Sequence, residues 1–318
     1  MSIACAVVMD PINAINTTKD STFAMLLEAQ RRSYALYYIK PRSLSARSGQ
    51  AWAQVASLKV ADSKESWFEL GAFEARPLNE MQVVLMRTDP PVDSHYLHDS
   101  IILSLAQKEG VLVVNDPQGL RDLNEKLAAL LFPQCCPETL VSRDKAELKA
   151  FVETNNEVVL KPLDGMGGRS IFRSRHGDPN LNVILETLTD GGNALTMAQR
   201  YIPEISAGDK RILLVDGEPI PYCLARIPQG TDFRGNLAAG GRGEGRPLSD
   251  RDRWIAAQVG PELKKRGMLF VGLDVIGDYL TEVNVTSPTC IRELDKQFGL
   301  NIAGQLFDAI EVRLERHS

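Results

Sequence analysis

The segment that most constrains this chain is Val158-Val159-Leu160-Lys161-Pro162-Leu163-Asp164-Gly165-Met166-Gly167-Gly168-Arg169-Ser170-Ile171-Phe172. An apolar run ends in a lysine and a proline, a loop with three glycines in four positions follows, and a second apolar run closes it. The pattern predicts strand, loop, strand. Glycine adopts positive φ without steric cost and has no Cβ, so such a loop can fold over a ligand and aim backbone N–H groups at phosphate oxygens. Lys161, at the end of the first strand, adds a fixed positive charge there. It is not a P-loop, because no Gly-Lys-Ser/Thr closes it and no helix signal follows. Taken alone, the same pattern also serves an ordinary glycine-rich hairpin.

A chain of 318 residues exceeds a typical single core, so two or three domains are expected. The 44% hydrophobic and 24% charged content is that of a globular protein, and the net charge of −5 argues against nucleic acid or an anionic membrane as partner. No signal peptide is read at the start, and no apolar run reaches membrane length. Cys5, Cys135, Cys136, Cys223 and Cys290 form no CxxC pair, which fits reduced thiols in a cytoplasmic protein.

The opening run Ile3 to Met9 reads as a buried parallel strand. Asp20 or Ser21 can cap a helix to about Arg32, and Ala35 to Ile39 is the next strand. This β-α-β start predicts an α/β domain with a mostly parallel sheet. The stretch from Ser43 to about Pro77 shows no clear period. Val83 to Met86 is a strand that runs into Arg87, at the carboxyl end where open α/β sheets gather ligands; pairing with Asp89 or Asp93 is the alternative. A helix to Glu109 and a strand from Val111 to Val114 complete the unit, which ends between Gly119 and Asn124. Asn124 can then cap a helix through Leu131 that carries Lys126. A strand from Thr139 to Val141, a helix from Ser142 to Thr154, a helix from Pro179 to Leu188 and a strand from Leu195 to Gln199 flank the glycine segment. Antiparallel hairpins follow: Arg211 to Val215 with Glu218 to Leu224 around Asp216-Gly217, and Phe270 to Ile276 with Leu280 to Asn284. Long helices are expected from Ser249 to Arg266 and from Ile302 to Leu314.

The second hairpin carries two carboxylates and an amide among apolar residues. Glu282 and Asn284, two apart, share a strand face, and with Asp274 they offer hard oxygen donors suited to Mg²⁺ at nucleotide phosphates. A salt-bridge network is the competing use. Asp274 can meet Glu282 only if the connection holds an odd number of residues or a bulge has the same effect, since a one-residue slip inverts every side chain. A basic set accompanies it: Lys210, Arg211 and Arg226, then the glycine-rich stretch from Ile227 to Gly243 with Arg234 and Asn236 inside. So long a loop with arginines fits a lid that closes on anions.

Together, Asn124-Glu125-Lys126-Leu127, Lys161 to Gly168, Pro221 to Gly230, Arg234 to Gly241 and Thr281 to Glu293, with Val8 to Pro11 and Ser21 to Arg32 before them, resemble the prokaryotic glutathione synthetases, members of the ATP-grasp ligases. The resemblance implies an N-terminal α/β substrate-binding domain (1–123), a central ATP-grasp subdomain (124–200) and a C-terminal catalytic subdomain (201–318). It implies joining of γ-glutamylcysteine and glycine with ATP hydrolysis, Mg²⁺ or Mn²⁺ as metal, and a cytoplasmic homotetramer. By position, Lys126, Lys161, Gly165, Gly167, Gly168, Gln199, Tyr201, Ile202 and Asp209 would bind the nucleotide. Asp274, Glu282 and Asn284 would hold the metal. Arg211, Arg226 and Arg234 would be catalytic, and Arg87, Asn236, Ser287 and Thr289 would meet the dipeptide. Another ATP-grasp carboxylate–amine ligase would share the phosphate and metal residues, and a synapsin-like nucleotide-binding protein would use them without ligation.

Overall fold

The computed structural model describes residues 2–63, 65–165, 167–230, 235 and 240–317. The first unit holds β1 (Ala4–Val8), α1 (Ser21–Arg31), β2 (Ala35–Ile39), β3 (Ser45–Arg47), β4 (Gln50–Val60), β5 (Phe68–Leu70), β6 (Glu74–Pro77), β7 (Val83–Met86), α2 (Ser94–Lys108), β8 (Leu112–Val114) and α3 (Pro117–Asp122). Asp20 caps α1 by accepting the Phe23 N–H at 2.7 Å. The continuous apolar runs become the parallel core β2-β1-β7-β8. The segment without a clear period supplies antiparallel strands beside β2. Its period is hidden because β4 changes burial phase midway. Ala51, Ala53 and Val55 are buried on one face, Ala56, Leu58 and Val60 on the other.

The second sheet, order β11-β10-β12-β9, contains β9 (Thr139–Ser142), β10 (Glu157–Pro162), β11 (Phe172–Arg175) and β12 (Thr196–Arg200), with α4 (Lys145–Asn155) and α5 (Leu181–Leu188). It is antiparallel throughout, so the change of pattern comes one sheet earlier than the sequence predicts. Leu148 and Val152 of α4 and Leu181 and Leu185 of α5 cover Val158, Leu160 and Ala198 on one face. The alternation leaves Val159, Lys161 and Gln199 on the other. The α-helix expected from Asn124 does not form. Asn124 does accept the Lys126 and Leu127 N–H groups at 3.1 Å each, but only a short 3-10 turn, Ala128–Leu131, follows. The Glu125 carbonyl is taken instead by the Val283 N–H at 2.8 Å.

The third sheet, order β15-β14-β13-β16-β17, comprises β13 (Asp209–Val215), β14 (Glu218–Ile227), β15 (Arg242–Pro247), β16 (Phe270–Ile276) and β17 (Tyr279–Asn284). With it come α6 (Asp250–Lys265), α7 (Ile291–Phe298) and α8 (Ile302–His317). Val215 pairs with Glu218 across Asp216 and Gly217, whose φ angles of 51° and 84° make the two-residue turn that Asp-Gly favours. Along β13, Ile212 and Leu214 face Ile255 and Val259 of α6, while Leu213 and Val215 join Leu306 and Phe307 of α8. Asp209 and Arg211 continue that second face as its polar end. Asn115, just after β8, locks the first sheet to this one: its amide donates to the Phe270 and Val285 carbonyls (2.8 and 2.7 Å) and accepts from the Leu269 and Phe270 N–H groups (2.7 and 2.9 Å).

Candidate active site

The open face of the second sheet and the polar end of the third enclose a cavity of about 290 Å³. Register brings the third-sheet side chains together. Arg211 lies opposite Asp274, Asp209 opposite Arg226, and Asp274 opposite Glu282. The β16–β17 connection is a two-residue turn, since Ile276 pairs with Tyr279, and the three-residue loop is not what forms. A shift in the ladder after Val275 and Leu280 leaves Thr281 as the extra residue, and that bulge puts Glu282 across from Asp274. The Thr281 hydroxyl donates to the Asp274 carbonyl at 3.1 Å.

Asp274 is buried and held by two guanidinium groups. Arg211 Nε and Nη2 reach its two carboxylate oxygens at 2.6 and 3.1 Å, and Arg226 Nη2 reaches Oδ2 at 2.9 Å. Burial alone would raise its pKa, but Arg211 and Arg226 outweigh it and hold the carboxyl well below the usual range. Gly272 makes room for this, since a Cβ there would stand 2.9 Å from Arg211 Cδ. Arg226 also ion-pairs with Asp209, whose Oδ1 has no partner among the described residues. Burial, with Asp274 and Glu282 nearby and Arg226 opposing, pushes Asp209 up to about 7.

The opposite wall is cationic. Lys126 is 2% exposed; its Nζ contacts Glu125, donates to the Gly165 carbonyl at 2.7 Å and lies 3.7 Å from Glu282. Burial works against its charge, but Glu282 and Glu125 more than offset this and raise its pKa. Lys161 Nζ stands 3.5 Å from Gln199 Oε1 and 3.7 Å from the same Glu282 oxygen. Gly167 and Gly168 take φ of 65° and 80°, the left-handed turn that lets their loop pass over the cavity. Tyr201, Ile202, Ser287 and Thr289 also line it.

Of the residues singled out from sequence, Arg87 is not in this lining. Its Nε donates to Thr22 Oγ1 at 3.1 Å and its Nη2 to the Pro288 carbonyl at 2.9 Å, so it braces the turn from Ser287 to Cys290 from beneath. Among the described residues its guanidinium forms no ion pair with Asp89 or Asp93. Lys210 falls on the far face of β13, bonded to Asp252 and to the Gly277 carbonyl at 2.9 Å, as strand alternation requires. Arg234 and Asn236 lie outside the described residues. Sequence reasoning missed Glu125 and Asp89, which also line the cavity, as does Cys290 at the end of the Ser287 to Cys290 turn that the resemblance places at the substrate. Glu125 sits beside Lys126 in a run already singled out, and that adjacency is the signal that could have found it.

As a metal site, the donor set is two carboxylates and one amide; among the described residues no three His, Cys, Asp or Glu side chains cluster for an ion. Glu282 and Asn284 line the cavity, the buried amide nitrogen of Asn284 has no partner among the described residues, and Asp274 Oδ1 keeps spare acceptor capacity beside Arg211. These oxygens fit a hard cation whose remaining positions are filled by a ligand's own oxygens.

A lysine-lined glycine loop over one sheet, facing carboxylates and arginines on a second, defines an ATP-grasp ligase, an ATP-dependent enzyme. Among solved structures, D-cycloserine synthetase DcsG shares the fold at a TM-score of 0.67 and 14% identity, covering 98% of this chain and 99% of that one. The ligase PsnB, solved with a minimal precursor, Mg and ADP, does so at 0.59 and 15%, covering 98% of each. Residues 3–121 match the prokaryotic glutathione synthetase N-terminal domain and residues 125–299 its ATP-grasp domain. The glutathione synthetase of Xanthomonas campestris pv. campestris is 74% identical over 312 residues, covering 98% of this chain and 99% of that protein. That of Pseudomonas aeruginosa is 57% identical over 314 residues, covering 99% of each. The chain belongs to the prokaryotic glutathione synthetase family.

Proposed function

We propose that this enzyme joins γ-glutamylcysteine to glycine, forming glutathione with ATP cleaved to ADP and phosphate. The observation that carries this reading is the facing of two walls across one cavity: Lys126, Lys161 and the glycine loop on one side, Arg211, Arg226 and the Asp274–Glu282 pair on the other. A carboxylate is a poor electrophile, and transfer of the γ-phosphoryl to it creates a leaving group that glycine's amine can displace. Lys126 and Lys161 bind and orient the phosphates, their charge held ready by Glu125 and Glu282. Arg211 and Arg226, fixed by Asp274 and Asp209, stabilise the oxyanion of the acyl phosphate and of the tetrahedral adduct that follows. Gln199, Tyr201 and Ile202 enclose the nucleobase, and Asp209 serves the nucleotide from the start of β13. Ser287 and Thr289 meet the dipeptide on the turn that Arg87 braces. Arg234 and Asn236 would act from the stretch that follows Gly230.

Asp274, Glu282 and Asn284 would hold the divalent cation that ATP-grasp ligases use, and it would supply positive charge to the phosphate oxygens; Mg²⁺ is the proposed ion, with Mn²⁺ as substitute. The units 1–123, 124–200 and 201–318 are the proposed domains, a homotetramer the proposed assembly, and the cytoplasm the proposed site of action. The free cysteines agree with that compartment, and no helix among the described residues is long and apolar enough to cross a membrane. Mass spectrometry of a reaction with isotopically labelled glycine tests the reading. One labelled tripeptide per ADP is expected; unchanged γ-glutamylcysteine alongside ADP would overturn it.

A further inference from the structure

We infer that Arg173 is a positioning residue for the nucleotide, acting through Tyr201 as the outer wall of the nucleobase subsite. The inference rests on the reading that the base lies against Gln199, Tyr201 and Ile202.

Arg173 belongs to the edge strand β11. It pairs with Val159 of β10, which pairs in turn with Gln199 of β12, so the three form one row across the cavity face of the sheet. Arg173 itself does not line the cavity, whereas Val159, Gln199 and Tyr201 do. Its Nε and Nη2 both reach Glu157 Oε1 at 2.7 Å. That grip lays the guanidinium over the Tyr201 ring, 3.9 Å from its centroid. The Tyr201 N–H donates to the Glu157 carbonyl at 3.0 Å. Glu157 therefore secures Tyr201 twice, by its own carbonyl at the backbone and by its carboxylate through Arg173 at the ring.

With one face covered by a planar cation, the Tyr201 ring is held before a ligand arrives, in a residue that lines the cavity. A base that meets a fixed wall does not have to order it, which strengthens binding without touching the chemical step. The Arg173 and Glu157 side chains are 41% and 36% exposed. A pair so exposed adds little to folding stability, so stability is a weak reason for the arrangement.

The test is a double-mutant cycle on the full chain with ADP as probe, read by calorimetry beside steady-state kinetics. Arg173→Ala is expected to weaken ADP binding and raise KM for ATP by about five-fold, with kcat and the KM of both other substrates within about two-fold. Arg173→Lys, which keeps a cation over the ring, should recover part of the loss, and Glu157→Gln should reproduce a share of it. In a Tyr201→Ala background Arg173→Ala should add nothing. An equal loss in both backgrounds, or no loss from Arg173→Ala where Tyr201→Ala does weaken ADP, would overturn the inference alone. If Tyr201→Ala and Lys161→Ala both left ADP affinity unchanged, the nucleotide would not lie in this cavity, and the underlying reading would fall with it.

Discussion

Asp274 and Glu282 face each other across β16 and β17 although only Gly277 and Asp278 turn the chain between those strands. An unbroken ladder from that turn would set Asp274 opposite Thr281 and send Glu282 to the other face. The bulge at Thr281 restores the facing. The two acids then part company in environment. Asp274 neutralises buried Arg211 and Arg226, while Glu282 stands open to the cavity between two lysines.

That difference predicts opposite phenotypes. Asp274→Asn leaves buried Arg211 without its counter-charge and Arg226 with Asp209 alone, and should cost about 3–5 kcal/mol of stability. Glu282→Gln should cost less, about 1–2 kcal/mol, because both lysines stand 3.7 Å from Glu282, beyond hydrogen-bond reach, and Lys126 keeps Glu125. It should nevertheless lose most metal-dependent ADP binding. Urea unfolding and calorimetry with and without Mg²⁺ check both; an Asp274→Asn protein as stable as the parent would contradict the assignment.

Much of this was legible in the sequence because it rests on local periodicity. The apolar runs of β1, β2 and β7, the Asp216-Gly217 turn and the capped α1 and α6 need only nearest neighbours to be read. The glycine segment and the pair Glu282 and Asn284 were visible for the same reason. What stayed hidden depends on distant partners. The burial of β4 changes phase because two different cores flank it. The helix expected after Asn124 is pre-empted by Val283, which is far away in sequence and takes the Glu125 carbonyl. Arg87 stands at a strand end as predicted, yet its direction is set by Thr22 and Pro288, which no local pattern reveals.

A glycine inside α6 shows the same limit as a stability prediction. Gly260→Ala in an exposed helix gains about 1 kcal/mol. Here a Cβ would stand 2.0 Å from the Gly217 carbonyl oxygen, where the β13–β14 turn presses on the helix. Backbone cannot yield as a flexible side chain does, so a net loss of about 1–3 kcal/mol is expected. Urea unfolding of Gly260→Ala checks it; a more stable protein would contradict the packing.

Asp295 gives a pH dependence away from the site. Burial pushes its carboxyl up to about 6, against a hydrogen bond from the Ile302 N–H at 3.0 Å. Between about pH 4 and pH 6 the folded state then holds the proton more tightly than the unfolded chain, so this group lowers stability as pH rises through that window. Above it the penalty is complete. Asp295→Asn, which keeps an oxygen for Ile302, should flatten that part of the Tm profile and leave Tm at pH 7 equal or higher. A steeper profile in the mutant would contradict the sign.

The central claim is that one cavity couples ATP cleavage to formation of an amide bond, and phosphate release tests it most directly. With the full chain, ATP, Mg²⁺ and γ-glutamylcysteine, phosphate release should be slow until glycine is added, then proceed at one phosphate per tripeptide formed. Release as fast without glycine as with it would contradict the account.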